Sequence, residues 1–506
     1  MLRNQRTIHR YRRGAVALIA LGLVAAACGS DSKSSSGVTA APATNAATTP
    51  ATDAAAPATT TAGATETTAE ASSGGKTVVR WFVGLGTGSQ AEQIDREKAL
   101  IDKYNSSQDK IKLEAEFVDN KVAKDALATE MAGGNPPDII GPVGREGANA
   151  FSGQYLDLGP LITKSGIDLS QYEPEQIAAR KNPDGTIDSL PFASYPAALF
   201  YNKDLFDEAG LPYPPHKYGE KYGVGTQWEG EWNIDKLEEI AKILTVDSAG
   251  KDATDPAFDK TKVAQWGYNH QFTEDPKAQG TLFGAGNIIG ADNKAHVPPQ
   301  WLAEWKWYHH MIFEVGASPT DDEIEVYGLS GNAFNSGKIA MAVTHLWYTC
   351  CLTDGKTPPA FKTFWDVAAV PSYNGVATAK LHADTFRIQK DSKNPDAAFE
   401  VLSWIQGDAA LDFLTIYGAM PARIDIRKPY FEQADKNFTQ KVDWQVFLDG
   451  LKHTDNPSHE LDMPKFVESD ARVKELDDRI RKEPDLDLDA ASKQLEEDLN
   501  KIWASA

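Results

Sequence analysis

The sequence predicts an α/β fold built on a parallel sheet, with more than one domain in its folded part. Three observations predict it. Between residues 77 and 141, short β-branched and aromatic runs alternate with longer runs of helical period. The order strand, helix, strand, helix, strand calls for parallel neighbours joined by right-handed crossovers. Residues 76–506 are also too many for one hydrophobic core, which points to two domains.

The elements follow in order. "TVVRWFV" (Thr77 to Val83) is β-branched and aromatic, and reads as the first strand. "SQAEQIDREKALIDKYNSS" sets Ile94, Leu100, Ile101 and Tyr104 at helical spacing. "KIKLEAEFV" (Lys110 to Val118) alternates with period two and reads as the second strand. "KVAKDALATEMAGG" is a helix closed by Gly133-Gly134. "PPDIIGPVG" supplies a short buried strand, Asp138 to Gly141, and a second α/β region follows Leu190. In such sheets ligands bind at the carboxyl ends of the strands, or in a cleft between two such domains.

The first 75 residues have a different character. Arg3, Arg6, Arg10, Arg12 and Arg13 precede an uncharged, mostly apolar run from Gly14 to Ala27. As a helix that run spans roughly 21 Å, short of a bilayer core of about 30 Å. A basic stretch, a short apolar run and the small residues Ala25, Ala26 and Ala27 make residues 1–27 a secretory signal. Cys28 comes next, and "AAAC" resembles a bacterial lipobox, with Ala25 where that pattern prefers leucine. The resemblance implies that Cys28 is lipidated and becomes the new N-terminus, which also accounts for a lone cysteine outside the cell. Residues 29–75 are Ala, Thr, Ser and Pro with almost no large apolar side chain. They cannot bury a core, and as a flexible coil they span roughly 35–40 Å. Residues 28–75 therefore read as an anchored tether that lifts the folded part off a membrane.

The formal net charge is −21. Removing residues 1–27 takes away five arginines and no acid, so the mature chain is more negative still. Such a surface repels nucleic acid and anionic lipid, so neither is expected as a direct partner. The other cysteines are Cys350 and Cys351; adjacent cysteines pair only through a strained ring, so two thiols are expected and no disulfide framework.

Four segments carry a resemblance that covers nearly all of residues 76–506. They are "DGTIDSLPFASYPAALFYNKDLFDEAGL" (Asp184 to Leu211), "GNAFNSGKIAMAVTHLW" (Gly331 to Trp347), "AAVPSYNG" with "DTFRIQKDSKNPDAAFEVLSWI", and "YGAMPAR" (Tyr417 to Arg423). In this order they resemble the hallmarks of bacterial extracellular solute-binding proteins of ABC transporters, of the maltose-binding, carbohydrate type. The resemblance implies a two-lobed, periplasmic-binding-protein-like α/β fold of type II, each lobe a sheet flanked by helices, with a ligand cleft at the hinge. Carried over, the crossings fall near Pro191–Tyr195, Lys380–Ala383 and Gly418–Pro421. The N-terminal lobe is then 76–192 with 382–418, and the C-terminal lobe 193–381 with 419–506.

A sugar cleft needs aromatic platforms for the CH faces of the ring beside polar groups for its hydroxyls. Trp347 matches the tryptophan that stacks on ligand in sugar-binding members, with His345 and Tyr348 beside it and Thr344 also in reach of hydroxyls. "GLGTGSQ" (Gly84 to Gln90) lacks the third glycine of a dinucleotide loop, since Ser89 stands there. It is expected to offer backbone N–H groups, with Thr87, Ser89 and Gln90, to a ligand oxygen. Pro142 and Val143 end the third strand and should line the same cleft, while Tyr195, His382 and Asp384 lie at the crossings. Trp444 and His459 are weaker candidates, and Trp444 reads better as packing. "DLDLDAASKQLE" (Asp485 to Glu496) mimics a calcium loop but has Ala490 where glycine is needed. It reads as an acidic helix start, and no metal and no cofactor are expected.

The function expected is that of a lipid-anchored receptor on the outer face of the cytoplasmic membrane, monomeric and not an enzyme. It would capture a small ligand, a mono- or oligosaccharide, and deliver it to the membrane subunits of an ABC importer. Two alternatives stand beside it: the same receptor binding a polyamine, peptide or phosphorylated polyol, and a secreted glycoside hydrolase using two carboxylates about 5–10 Å apart.

Overall fold

Thr77–Val83 forms β1, exposed at its start and wholly buried over its last three residues. It pairs in parallel with β2 (Ile111–Phe117), from Thr77 opposite Ile111 to Val83 opposite Phe117. On its other side lies β3 (Ile139–Val143), with Trp81 opposite Ile139. Helices α1 (Ala91–Ser107) and α2 (Asn120–Ala132) are the crossovers, and Gly133 ends α2 by donating its N–H to the Thr129 carbonyl. The predicted parallel unit is therefore present. Its third strand runs two residues past the expected Gly141: the register against its neighbour shifts between Arg387 and Thr385, and such an irregularity lets a strand pass a proline that has no N–H to give.

The structure is a computed structural model that describes residues 75–505 except 179, 183–184, 272–274, 328–332, 353–364, 439 and 461. Contacts divide the chain into Met1–Ala69 and Glu70–Ala506, and every described residue belongs to the second unit. The signal, Cys28 and nearly all of the tether lie outside the described residues.

Six more strands complete the main sheet: β4 (Leu190–Asn202), β5 (Asn269–His270), β6 (Met341–His345), β7 (Trp365–Ala368), β8 (Leu381–Ile388) and β9 (Met420–Pro421). The order is β2-β1-β3-β8-β4-β6-β5, with β7 and β9 also on β4. The sheet is mixed, because β8 runs antiparallel to both β3 and β4. Strand β4 is buried along all 13 residues. Its first half pairs with β8 and β9, its second half with β6 and β7, so one strand carries both halves of the sheet.

Two large apolar clusters flank this frame. One holds Trp81, Ile139, Phe386 and Phe413, with Phe413 edge-on to Trp81. The other holds Leu199, Trp305, Val343 and Leu495. Trp444 packs in the first cluster between Phe431 and Phe447, as expected for a core residue. Further helices include α3 (Arg145–Asn149), α4 (Pro276–Gly280), α5 (Pro299–His310), α6 (Pro395–Gln406), α7 (Ala410–Tyr417), α8 (Phe466–Lys482) and α9 (Leu488–Ala504). The acidic run before α9 is the helix start that was expected: the Asp487 carboxylate accepts the Ala490 N–H at 3.0 Å, and Glu496 accepts the Val297 N–H. Among the described residues no helix is long and apolar enough to cross a membrane.

Candidate functional site

Three strands meet side by side in the middle of the sheet. Ser194 of β4 lies opposite Ala383 of β8 on one side and Met420 of β9 on the other. Tyr195 faces His382, and Ala193 faces Asp384. Directly opposed residues of an antiparallel pair share a face, and so do residues two apart. Tyr195, His382 and Asp384 therefore rise from the same side of the sheet.

Asp384 anchors one node of the site. Its Oδ2 accepts from the Thr87 hydroxyl at 2.9 Å, the Thr87 N–H at 3.2 Å and the Tyr195 hydroxyl at 3.2 Å. Burial raises the Asp384 pKa against the pull of these donors, and it raises that of Tyr195 well above its ordinary value, with Asp384 adding to the effect. The approach is close: a Cβ on Gly86 would stand 2.7 Å from the Pro142 carbonyl oxygen and 2.9 Å from Asp384 Oδ2. Only glycine lets the loop after β1 come this near to the end of β3.

Imidazoles form a second node. His345 ends β6, fully buried, and its ring stacks on His382 with centroids 3.7 Å apart. The indole of Trp347, partly exposed, lies nearly parallel to the His345 ring with centroids 5.9 Å apart. Neither ring nitrogen of His345 has a hydrogen-bond partner among the described residues. Burial and then the neighbouring imidazole push both His345 and His382 well below the ordinary histidine range, so both rings are neutral. His382 Nε2 stands 3.2 Å from His459 Nε2. His459 Nδ1–H donates to Asp455 Oδ2 at 2.6 Å, and that same oxygen accepts the His459 backbone N–H. Burial lowers the His459 pKa, yet Asp455 outweighs it and the net direction is upward.

Charged groups make a third node. Lys277 of α4 is buried, with Nζ 2.5 Å from Asp275 and 3.7 Å from both Glu146 of α3 and Asp470 of α8. Lys474 of α8 reaches Asp470 at 2.9 Å and Glu146 at 3.4 Å. Burial opposes the Lys277 charge, but the three carboxylates raise its pKa above the ordinary value. Close by, burial lowers the Arg180 guanidinium to about 10, with Arg387 and Arg145 adding to the effect.

The sequence-predicted residues divide accordingly. The structure brings Thr87, Tyr195 and Asp384 together, and His345, Trp347 and His382 together with His459. Ser89 and Gln90 lie at the start of α1, half-buried and exposed respectively. Four expectations are corrected. Tyr348 is no platform, because it is fully buried against Phe200 and its hydroxyl donates to Asn335. Val143 does not line a cleft, because its side chain packs with Phe82 and Leu85 in a small separate core. The loop N–H groups are largely spent on the protein: Thr87 donates to Asp384, and Gly88 and Gln90 donate to Gln93 Oε1. Asp384 is buried beneath hydroxyls, not open to a cleft. Pro142 is buried beneath Gly86. Of the two adjacent cysteines, the side chain of Cys350 lies outside the described residues. Sequence reasoning missed Glu146, Asp275, Lys277, Asp470, Lys474, Arg145 and Arg180. Asp455, four residues before His459, had a readable spacing.

Residues 87–411 match the family described as bacterial extracellular solute-binding protein. The sn-glycerol-3-phosphate-binding periplasmic protein UgpB of Brucella abortus (strain 2308) is 30% identical over 154 residues, 29% of this chain and 35% of its own length. The chain thus spans about a third of the length of these sn-glycerol-3-phosphate-binding relatives. Among solved structures, the Listeria monocytogenes ABC substrate-binding protein Lmo0181, in complex with cycloalternan, superposes with a TM-score of 0.63 at 21% identity, covering 85% of this chain and 99% of that one. An ABC transporter solute-binding protein from Thermotoga lettingae, bound with alpha-D-tagatose, gives 0.64 at 19% identity, covering 85% and 100%. The fold is therefore the two-lobed, periplasmic-binding-protein-like α/β arrangement that the sequence predicted. With the family match spanning more than half of its length, the chain belongs to the bacterial extracellular solute-binding proteins.

Proposed function

We propose that this protein is a lipid-anchored receptor, held by Cys28 on the outer face of the cytoplasmic membrane, that captures a mono- or oligosaccharide and hands it to an ABC importer. The observation that carries the sugar is Trp347, a partly exposed indole lying parallel to His345 beside the three-strand crossing. An aromatic face next to hydroxyl and imidazole groups suits a ring with one apolar face and a polar edge. The solved neighbours in complex with cycloalternan and tagatose support this ligand class. The lobes are 76–192 with 382–418 and 193–381 with 419–506, hinged where β4, β8 and β9 pair. The receptor works as a monomer, closes on its ligand as a clamp, and makes or breaks no covalent bond.

A phosphorylated polyol is the second reading, and the arginines favour it. Arg145 and Arg180 make no ion pair among the described residues, and burial, with Arg387 and Arg145 adding their positive charge, lowers the Arg180 pKa. A phosphate matches guanidinium geometry and offsets that positive charge. The UgpB relatives are named for sn-glycerol-3-phosphate binding.

A thermal-shift screen against sugars and polyol phosphates separates the two. A binder at 100 times its Kd adds about 2.7 kcal/mol of stability. Stabilisation by a sugar that Trp347→Ala abolishes supports the first reading. A response to polyol phosphates alone, lost in Arg180→Gln, selects the second. Turnover of a glycoside would overturn both.

A further inference from the structure

The geometry points to a divalent transition-metal site, of the zinc type, formed by His382, His459 and Glu460 where β8 meets the 455–460 segment. One ligand atom from each of the three lies within 4.8 Å of the others. The two Nε2 atoms are 3.2 Å apart. Two nitrogens bound to one tetrahedral zinc at about 2.0–2.1 Å stand roughly 3.3 Å from each other, so the pair already has the spacing of a shared ion.

Three further observations support the assignment. First, Asp455 accepts from His459 Nδ1–H, which turns the Nε2 lone pair of His459 toward His382. A carboxylate behind the ligating imidazole is the usual outer-shell support of a zinc histidine. Second, His382 shares one face of the sheet with His345, whose ring stacks on it at 3.7 Å, so its orientation is fixed. Third, the Glu460 main chain is tied down, its carbonyl accepting from Asn149 Nδ2 of α3 at 3.2 Å. The charges facing the cluster are mixed. Asp455 and Glu146 favour a cation, while Arg145 and Lys380 oppose it. The other acidic group, Glu146, Asp275 and Asp470, carries no such proposal because the ammonium groups of Lys277 and Lys474 already fill it.

The competing arrangement at this distance is a direct N–H···N hydrogen bond between the two imidazoles, which needs no ion. Calorimetric titration of the chelator-treated protein with zinc chloride decides between them. One equivalent should bind, and Asp455→Asn should weaken it about 10–100-fold, the usual loss on removing an outer-shell partner. His382→Gln and Glu460→Gln should each weaken it at least as much. Cobalt(II) should give the visible absorption of a tetrahedral site in the parent and none in His382→Gln. Circular dichroism melts establish that the variants fold, and Glu460→Gln serves if His382→Gln does not. Absence of saturable zinc binding below millimolar concentration overturns the site, as does binding that survives both ligand substitutions. Zinc binding is read by calorimetry without solute, and solute binding in the separate thermal-shift screen, so either reading can fail alone.

Discussion

Two carboxyl groups show how much single residues are asked to do here. The Asp384 carboxylate is buried and held by three donors from Thr87 and Tyr195. Tyr195→Phe removes one of them and leaves two, so the expected loss is about 1 kcal/mol, measured by urea unfolding. Glu97 of α1 is fully buried, accepts the Tyr417 hydroxyl at 2.8 Å through Oε2, and has no partner for Oε1 among the described residues. Burial outweighs that hydrogen bond and raises its pKa to about 8. Between the ordinary value of 4.5 and about 8 the folded protein holds a proton that the unfolded chain has released. Stability from this group is therefore complete at acid pH and falls as pH rises through that window. The melting temperature should decline from pH 5 toward 8, and Glu97→Gln should flatten the decline. An unchanged slope in the variant would mean that Glu97 is ionised in the folded state.

Elements were legible where their signal is local. The alternation in β1 and β2, the paired glycines after α2 and the acid-capped start of α9 can each be read within a dozen residues, and each stands where it was expected. The antiparallel β8 inside an otherwise parallel unit was not readable, because its partners are nearly two hundred and more residues away. The same reason hides most of the site. Lys277 meets Glu146 and Asp470 across more than a hundred residues on either side, so no spacing announces the cluster. Trp347, Tyr195 and His382 were reachable only through motif resemblance, and that resemblance favoured the half-buried Trp347 without excluding the packed Tyr348 next to it. Close approach of elements is testable at Gly86. The methyl of Gly86→Ala would meet the Pro142 carbonyl at 2.7 Å, forcing the loop after β1 away from β3 and from Asp384. Overpacking of this kind costs about 1–3 kcal/mol; a variant as stable as the parent would show that the loop moves freely.

At the scale of the whole molecule, the charged cluster joins the two halves of the sheet. Glu146 lies on α3, directly after β3, while Lys277 follows β5 and Lys474 lies on α8, packed against α4. Lys277 is buried, and removing its charge leaves the buried Asp275 without its ion-pair partner, while Glu146 and Asp470 keep Lys474; Lys277→Met should lose about 3–5 kcal/mol of stability and reports on folding. Glu146 is different, because Lys277 keeps Asp275 and Asp470 without it. Glu146 stands at the edge of ion pairing from Lys277, at 3.7 Å, and its nearer partner Lys474, at 3.4 Å, is substantially exposed, so that pairing is screened and worth about 0.2–1 kcal/mol. At 1.4 kcal/mol per tenfold, that is up to roughly a fivefold change in the balance between open and closed forms. Glu146→Gln should therefore leave the melting temperature nearly unchanged while raising the radius of gyration of the unliganded protein in small-angle scattering. Apparent solute affinity should weaken by the same factor, since it scales with the fraction of closure-competent molecules. Added salt should bring the parent toward the variant, because the screened pair is what distinguishes them. Equal radii at low salt would mean that the cluster stabilises each half separately and exerts no pull across the cleft.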